Sequence, residues 1–193
     1  MDTQTYISAL SLAAHFHRNQ TRKSDGTPYI NHPIRVSNLI ANVGGITDVK
    51  VLIGAILHDV VEDTDGTIED IEKIDMEIAQ YVREVSDNKS LPKCERKKLQ
   101  IVHAANASYG AKLIKLADKL DNLSDLATNP PNGWSPDVIR GYFVWSKKVV
   151  DAMRGTNQPL ENALDELFSK NLSTDLDLDV ELENYYNLMK KMD

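Results

Sequence analysis

The sequence predicts an all-α protein, folded as a single helical bundle of roughly eight to ten helices. Apolar residues recur at helical spacing along most of the chain, and no run alternates in the manner of a β-strand. With 193 residues, of which 41% are hydrophobic, the chain is long enough for one well-packed core. We therefore expect one main domain.

The first two predicted helices frame a polar turn. The first covers about 3–19, with Thr3 as a candidate cap, and leads into the turn TRKSDGTP. The second begins at Pro33, a residue favoured in the first helical turn, and continues to Val43 before two glycines. His32 is thus expected at the start of that helix.

The third predicted helix, about 48–61, is apolar nearly all round, which indicates burial on most faces. His58, Asp59, Glu62 and Asp63 follow at its C-terminal end. Burying ionisable groups without partners costs several kcal/mol, so these side chains need hydrogen bonds, ion pairs or a metal ion. Acids at a helix C-terminus also oppose the helix dipole, which further indicates a compensating cation.

The middle of the chain continues the helical pattern. Thr67 and Asp70 resemble a capping box that opens an amphipathic segment, which we expect to break near Asp75. Pro92 begins another helix, which carries a basic cluster. Leucines and an alanine in the segment 111–126 form one stripe, as is typical of a core helix.

The last part of the chain is predicted to contain two helices and an acidic tail. One helix begins at Ser135-Pro136 and ends by Gly155, and the next covers 159–171. The segment 171–193 is acidic, with an amphipathic helix expected near 176–189. We predict a domain over 1–170 and a tail over 171–193.

Composition limits the class of function. A net charge of -7 argues against nucleic-acid and anionic-membrane partners, which need an extended positive surface. No apolar run is long enough to cross a bilayer and no secretory signal pattern opens the chain. Cys94 is the single cysteine, which excludes a disulfide framework and fits a reducing compartment, so we expect the cytoplasm.

Positive charge is nevertheless concentrated locally. Arg22 and Lys23 are adjacent, and further basic residues lie within 89–98 and 112–119. A basic lining inside an acidic protein suits a phosphorylated small molecule, although charge alone favours a solvated helix face for the cluster at 89–98.

Four residues could form a metal site. Adjacent helical residues point about 100° apart, so His58 and Asp59 can reach one ion only from a helix end or with other ligands. His32 and Asp118 are the natural partners, and the mixed nitrogen and oxygen set suits manganese, iron or zinc. Taken alone, His32 fits a capping residue, and His58 and Asp59 could simply hydrogen-bond to each other.

Three blocks, in this order, resemble the HD-domain metal hydrolases and, within them, the RelA/SpoT-type (p)ppGpp hydrolases. The blocks are RKSDGTPYINHP at 22–33, ILHDVVEDTDGT at 56–67 and LIKLADKLDNLSDL at 113–126. The resemblance continues through LPKCERKKLQ and NGWSPDVIRGYFVW to about Lys170. The chain looks most like the stand-alone metazoan SpoT homologues, which are small alarmone hydrolases, and has no room for an appended synthetase domain.

The resemblance implies hydrolysis of the 3′-diphosphate of (p)ppGpp, giving GDP or GTP and pyrophosphate. It implies one Mn²⁺ held by His32, His58, Asp59 and Asp118, with Glu62 and Asp63 handling the attacking water and its proton. The two acids follow His58 and Asp59 by four residues each, which places them one turn beyond the ligands. By the same resemblance the nucleotide would be bound by Arg22, Lys23, Asn122, Tyr142, Lys93 and Lys97.

Alternatives stay open at this point. The same site could act as an NADPH 2′-phosphatase or on another phosphorylated nucleotide, and a third hypothesis is a regulatory module that binds nucleotides without turnover.

Asp121 stands where relatives carry a histidine or an aromatic residue, so an added acid could alter substrate preference. The segment 71–80 lacks the Phe-Gly step common in the family. A homodimer is an open option for assembly.

Overall fold

The computed structural model describes residues 3–192, which form eleven α-helices. Apart from one isolated antiparallel bridge between Thr21 and Pro28, the described residues contain no β-structure. None of the described helices is long and apolar enough to cross a membrane. The helices are α1 (Thr3–Phe16), α2 (Asn31–Asn42), α3 (Val49–Leu57), α4 (Val60–Asp63), α5 (Ile68–Glu72), α6 (Met76–Val85), α7 (Lys93–Asn106), α8 (Tyr109–Thr128), α9 (Pro136–Asp151), α10 (Gln158–Asn171) and α11 (Leu178–Lys190).

The predicted all-α class is confirmed, but one predicted helix is divided. The expected continuous helix over 48–61 was wrong in this respect, because α3 ends at Leu57 and α4 begins at Val60. At Asp59 the backbone has φ −97° and ψ −4°, away from regular helical values. This interruption falls between the two helices at the residues that the sequence marks as functional.

Helix α3 lies between two hydrophobic clusters, which explains its unusual composition. Val51 and Ala55 pack into a large cluster shared with α2, α8, α9 and α10. Ile53 and Ile56 face the other way, into a smaller cluster shared with α1, α5 and α6. Both faces are therefore covered, as the apolar pattern predicts.

Several predicted helix boundaries are confirmed by side-chain caps. Thr67 and Asp70 form the reciprocal capping box that opens α5. Asp75 accepts hydrogen bonds from the first backbone amides of α6, so the expected break falls there. The Ser135 hydroxyl accepts from the Val138 amide at the start of α9. Polar residues between apolar runs thus set the helix starts.

The C-terminal helix α11 packs against α7 and α9. Tyr185, Tyr186 and Met189 are buried in the large cluster that also contains the core of α8. A Cβ atom added at Gly141 would lie 2.5 Å from Cδ2 of Tyr185, so α9 and α11 approach closely at that glycine. The division of the chain at residue 170 stays a prediction.

Substitution of Gly141 by alanine should therefore destabilise the protein. The added methyl group would displace the Tyr185 ring, at a cost of about 1 to 3 kcal/mol in the free energy of unfolding. Urea denaturation of wild type and Gly141→Ala measures this difference. The penalty should shrink in a Tyr185→Ala background, which removes Cδ2 and Cγ and leaves only Cβ, at 2.7 Å, near the added methyl group. An unchanged or raised stability, as helix propensity alone favours for Gly→Ala, would contradict the close packing.

Candidate metal centre and adjoining cleft

His32 lies near the start of α2 and is buried. Its Nε2 atom is 3.5 Å from Oδ2 of Asp59 and 3.3 Å from Oδ1 of Asp118. Burial alone would lower the pKa of His32, but hydrogen bonds with the surrounding carboxylates outweigh it and raise that pKa to about 9. The electrostatic field at this point thus favours positive charge.

His58 and Asp59 occupy the interruption between α3 and α4. The Nδ1 atom of His58 lies 2.7 Å from the carbonyl oxygen of Ala55. Because a carbonyl only accepts, Nδ1 carries the proton and Nε2 presents its lone pair. That buried Nε2 has no hydrogen-bond partner, and the nearest carboxylate oxygen, Oδ2 of Asp59, is 3.1 Å away.

Asp118 completes the group from α8. Its Oδ1 atom lies 3.3 Å from Nε2 of His32 and 3.8 Å from Nε2 of His58. The donor atoms of His32, His58 and Asp59 all lie within 4.8 Å of one another. The structure thus brings together the four side chains that the sequence predicts as ligands.

The donor set fits a divalent metal ion. Ligands about 2.1 Å from one ion, at right angles or tetrahedral, are about 3.0 to 3.4 Å apart, close to the separations found between these imidazoles and carboxylates. The unpartnered Nε2 of His58 supports the same interpretation, since buried polar atoms in proteins are normally satisfied. Two carboxylates and two neutral imidazoles would also balance a charge of two.

Glu62 and Asp63 lie on α4, one turn beyond the ligands. Oε2 of Glu62 accepts a hydrogen bond of 2.8 Å from the backbone amide of Asp87. Burial raises the pKa of Glu62, and the nearby negative charges add to this effect. Oδ1 of Asp63 accepts from Lys89 at 2.6 Å. Both acids are therefore held in place from the loop that precedes α7.

A cleft of about 580 Å³ lies next to the metal group. A smaller inner cavity of about 170 Å³ is lined by His58, Asp59 and Asp118. Five residues line both spaces, so the two are adjacent: they are Tyr29, Asp63, Lys97, Asn122 and Tyr142. A ligand in the cleft is therefore only these side chains away from the metal group.

Five of the six predicted nucleotide-binding residues line this cleft, namely Arg22, Lys23, Lys97, Asn122 and Tyr142. Lys93 does not line either space. It lies one turn before Lys97 on α7, where its ammonium donates to the backbone carbonyl of Met192 near the C-terminal helix. The cleft geometry therefore gives no support to the predicted role of Lys93. Lys93 is the first residue of α7 and lies about 6 Å from Lys97 along the helix axis, which places it beyond the cleft.

The inner part of the cleft is held by internal bonds. The guanidinium of Arg22 donates to Asn122 at 3.0 Å and to Asp125 at 2.7 Å. The amide of Asn122 donates to Oδ1 of Asp118 at 2.6 Å. The ammonium of Lys97 lies 3.5 Å from the centre of the Trp145 ring. A direct chain of contacts thus connects the cleft to the metal group.

Sequence reasoning missed several residues of the site. The Tyr29 hydroxyl donates to Asp59 at 2.6 Å and lies 3.4 Å from Asp63. Lys119 is buried and donates to Oδ2 of Asp118 at 2.9 Å. Tyr29 falls inside the matching block 22–33, and Lys119 directly follows a predicted ligand. These two positions were the sequence signals by which Tyr29 and Lys119 could have been assigned to the site.

Comparisons with known proteins agree with this geometry. The model of the HD domain family matches residues 9–139. MESH1 of Drosophila melanogaster, named guanosine-3′,5′-bis(diphosphate) 3′-pyrophosphohydrolase, is 55% identical over 165 residues, which cover 84% of this chain and 92% of that protein. The Homo sapiens protein of the same name is 49% identical, with 85% and 93% covered. Bifunctional (p)ppGpp synthase/hydrolase SpoT of Escherichia coli is 34% identical, over 64% of this chain and 18% of its own length.

A solved structure described as a metazoan ortholog of SpoT that hydrolyzes ppGpp superposes with a TM-score of 0.86 at 52% identity, covering 89% of this chain and 98% of that one. An all-α bundle that joins an adjacent His-Asp pair to a further histidine and aspartate defines the HD class of proteins. The chain belongs to the HD domain family and, within it, to the group of the MESH1 proteins.

If the four donors hold a divalent cation, that cation should stabilise the folded state. Chelator-treated protein should melt at a higher temperature when Mn²⁺ or Zn²⁺ is added. The free energy of unfolding should rise by about 2.7 kcal/mol when the metal concentration is a hundred times the dissociation constant. His58→Ala should lose most of this gain. Differential scanning fluorimetry measures it, and His103→Ala, which removes an exposed histidine, is the control. An equal gain in His58→Ala would contradict the site.

Proposed function

We propose that the protein is a Mn²⁺-dependent guanosine-3′,5′-bis(diphosphate) 3′-pyrophosphohydrolase, which converts (p)ppGpp to GDP or GTP and pyrophosphate. The observation that carries the proposal is that the candidate metal group and a basic cleft are adjacent and share lining residues. Asp63 lines both the inner cavity and the cleft that also contains Arg22 and Lys97, and Glu62 lines the inner cavity beside three of the metal donors. The activity named for the MESH1 relatives supports the same substrate.

The metal would be held by His32, His58, Asp59 and Asp118. When bound, a divalent cation supplies Lewis acidity, which lowers the pKa of water from about 15.7 towards neutrality and balances phosphate charge. The mixed nitrogen and oxygen donors suit Mn²⁺ among the metals of this class. The remaining chemistry falls to the side chains around the donors.

Glu62 is suited to accept the proton of the attacking water. A general base is most effective when its pKa lies near the working pH, and burial raises the pKa of Glu62 in that direction. The Asp87 amide fixes one carboxylate oxygen, whereas the other, Oε1, has only long ion-pair contacts, 3.6 Å to Lys89 and 4.0 Å to Arg96. The water attacks the phosphorus that is joined to the ribose 3′-oxygen, and the bond between those two atoms breaks.

Asp63 is suited to orient the same water. Lys89 and Tyr29 approach its two carboxylate oxygens from opposite sides, at 2.6 and 3.4 Å. The Gln20 amide donates to the Asp63 backbone carbonyl at 2.5 Å, so main chain and side chain are both fixed. A group held at three points loses little entropy when it positions a reactant.

The cleft walls suit a nucleotide. Arg22, Lys23 and Lys97 offer positive charge to phosphates in a protein whose net charge is -7. Trp134 and Tyr142 provide flat apolar surface, with ring centroids 5.7 Å apart. These features would also admit NADPH, so the choice between the two substrates depends on the cleft rather than on the metal donors.

The deciding experiment compares Asp63→Asn with wild type on ppGpp and, separately, on NADPH, with and without Mn²⁺. Wild type should release pyrophosphate from ppGpp only with the metal, and Asp63→Asn should be about 10² to 10⁴ times slower. Asp65→Asn, at an exposed acid in the same segment, is the matched control.

Each outcome has a distinct meaning. Loss of the 2′-phosphate from NADPH without turnover of ppGpp would transfer the same chemistry to another nucleotide. Absence of turnover on either nucleotide, with binding retained, would favour a regulatory module instead. Equal rates in Asp63→Asn and wild type would refute the assigned role of this residue.

Nucleotide binding should weaken as the pH rises through neutrality. Burial, and then the charge of Lys119, lower the pKa of Lys97 to about 7, so its ammonium is charged below that pH and neutral above it. KM for ppGpp should therefore rise between pH 6 and 9, with the midpoint shifted upward by the bound phosphates. Lys97→Met should flatten this dependence, whereas the exposed neighbour in Lys98→Met should leave it intact. An identical profile in Lys97→Met would contradict the role.

The cellular setting follows from sequence features only. We propose the cytoplasm as the compartment, since the single cysteine, Cys94, is buried and unpaired. A small nucleotide is the proposed ligand, nucleic acid is not an expected partner, and a homodimer stays an open option.

A further inference from the structure

Asp121 lies directly behind the metal donors. It is buried on α8, and its Oδ2 atom is 2.6 Å from Nδ1 of His32. Asp118, three residues earlier on the same helix, lies about one turn away on the same side and faces Nε2 of His32. The two aspartates therefore address the two nitrogens of one imidazole ring.

This contact determines how His32 is protonated. An ionised carboxylate only accepts, so Nδ1 of His32 must carry the proton that it donates to Asp121. In the neutral ring, which is the form that can bind a metal ion, the lone pair of Nε2 is then directed at the group of donors. His58 is held in the same tautomer by the carbonyl of Ala55, so both histidines have Nδ1 anchored from behind.

Arg35 holds the Asp121 carboxylate in place. Its Nε donates to Oδ1 at 2.6 Å and one of its terminal nitrogens donates to Oδ2 at 2.9 Å, which is the two-point contact that a guanidinium makes with an ionised carboxylate. The acid is thus fixed where it meets the ring.

The same arginine reaches the cleft. A terminal nitrogen of Arg35 donates to Asp125 at 3.0 Å, and Asp125 also accepts from Arg22 at 2.7 Å. Asp125 does not appear among the contacts of His32 in the described residues. Asp125 therefore shares Arg35 with Asp121 but does not contact the candidate ligand His32, so Asp125→Asn is a matched control.

We propose that Asp121 is a positioning residue of the metal centre, which holds His32 in the ligand tautomer and is itself oriented by Arg35. The inference rests on the proposed metal-dependent function and adds to it a supporting carboxylate that touches neither the metal nor the nucleotide. We therefore expect the acid at this position to affect the metal centre, through its bond to His32, and not the substrate preference.

Mn²⁺ binding tests the proposal without any measurement of activity. Metal-free wild type, Asp121→Asn and Asp125→Asn are titrated with Mn²⁺, and the free ion is followed by electron paramagnetic resonance. Asp121→Asn should bind about 10 to 100 times more weakly, whereas Asp125→Asn should match wild type. Thermal melts of the metal-free proteins check that all three are folded to the same extent.

A spectroscopic readout separates positioning from simple stability. In the Zn²⁺-loaded wild type, the proton on Nδ1 of His32 should resonate far downfield, because its acceptor is a close, charged carboxylate. Asp121→Asn should shift this resonance upfield, and Asp125→Asn should not. No change in either the resonance or the Mn²⁺ affinity of Asp121→Asn would overturn the inference.

Two further outcomes are distinguishable. If wild type binds no Mn²⁺, the proposed metal-dependent function fails and the inference fails with it. If wild type binds tightly but Asp125→Asn weakens binding as much as Asp121→Asn does, the bond to His32 is not the cause and the positioning role is refuted. In that second case the proposed function stands.

Discussion

The interruption between α3 and α4 is the constraint on which the site depends. Within one continuous helix, His58 and Asp59 would point about 100° apart, but at a helix end both donors turn towards His32. The interruption is held in place because α3 is packed on both sides, by clusters that leave its end little freedom to move. Hydrophobic packing on two faces thus positions polar groups at the tip, and α2 and α8 need only supply one donor each.

Partners surround the buried charges of the site. Asp118 meets Lys119, Asp59 meets the Tyr29 hydroxyl, and Asp121 meets Arg35, so no carboxylate among these faces apolar side chains alone. Each pairing lowers the cost of burial, which for an isolated charge would be prohibitive. Three of the four donors, His58, Asp59 and Asp118, nevertheless line the inner cavity. The buried carboxylates are therefore stabilised by hydrogen-bond and ion-pair partners, while those of Asp59 and Asp118 also line the inner cavity.

Much of this arrangement could be predicted from the sequence, and the reasons for the omissions are physical. Helical periodicity indicates most helices, and capping residues such as Thr67 and Asp75 locate their starts. The grouping of His58 and Asp59 with further polar side chains could be predicted because burial of ionisable residues demands partners; their role as metal ligands stays a prediction. The contact between His32 and Asp121 spans 89 positions, and no local pattern encodes a bond over that separation. The interruption of α3 was equally hidden, because apolar residues continue through Val60 and Val61.

The candidate metal group and the cleft proposed to bind the nucleotide share side chains, and this limits how each can change. Asn122 donates to the ligand Asp118 and accepts from Arg22, so one amide connects a metal donor to the cleft. Arg22 in turn shares Asp125 with Arg35, which orients Asp121. A substitution at Asn122 is therefore expected to alter metal affinity and nucleotide affinity together, since contacting residues in one network are not additive. Trp134 lines the cleft and contacts Tyr142, with ring centroids 5.7 Å apart, but touches none of these metal-side residues among the hydrogen bonds of the described chain, so a substitution there should leave metal affinity unchanged.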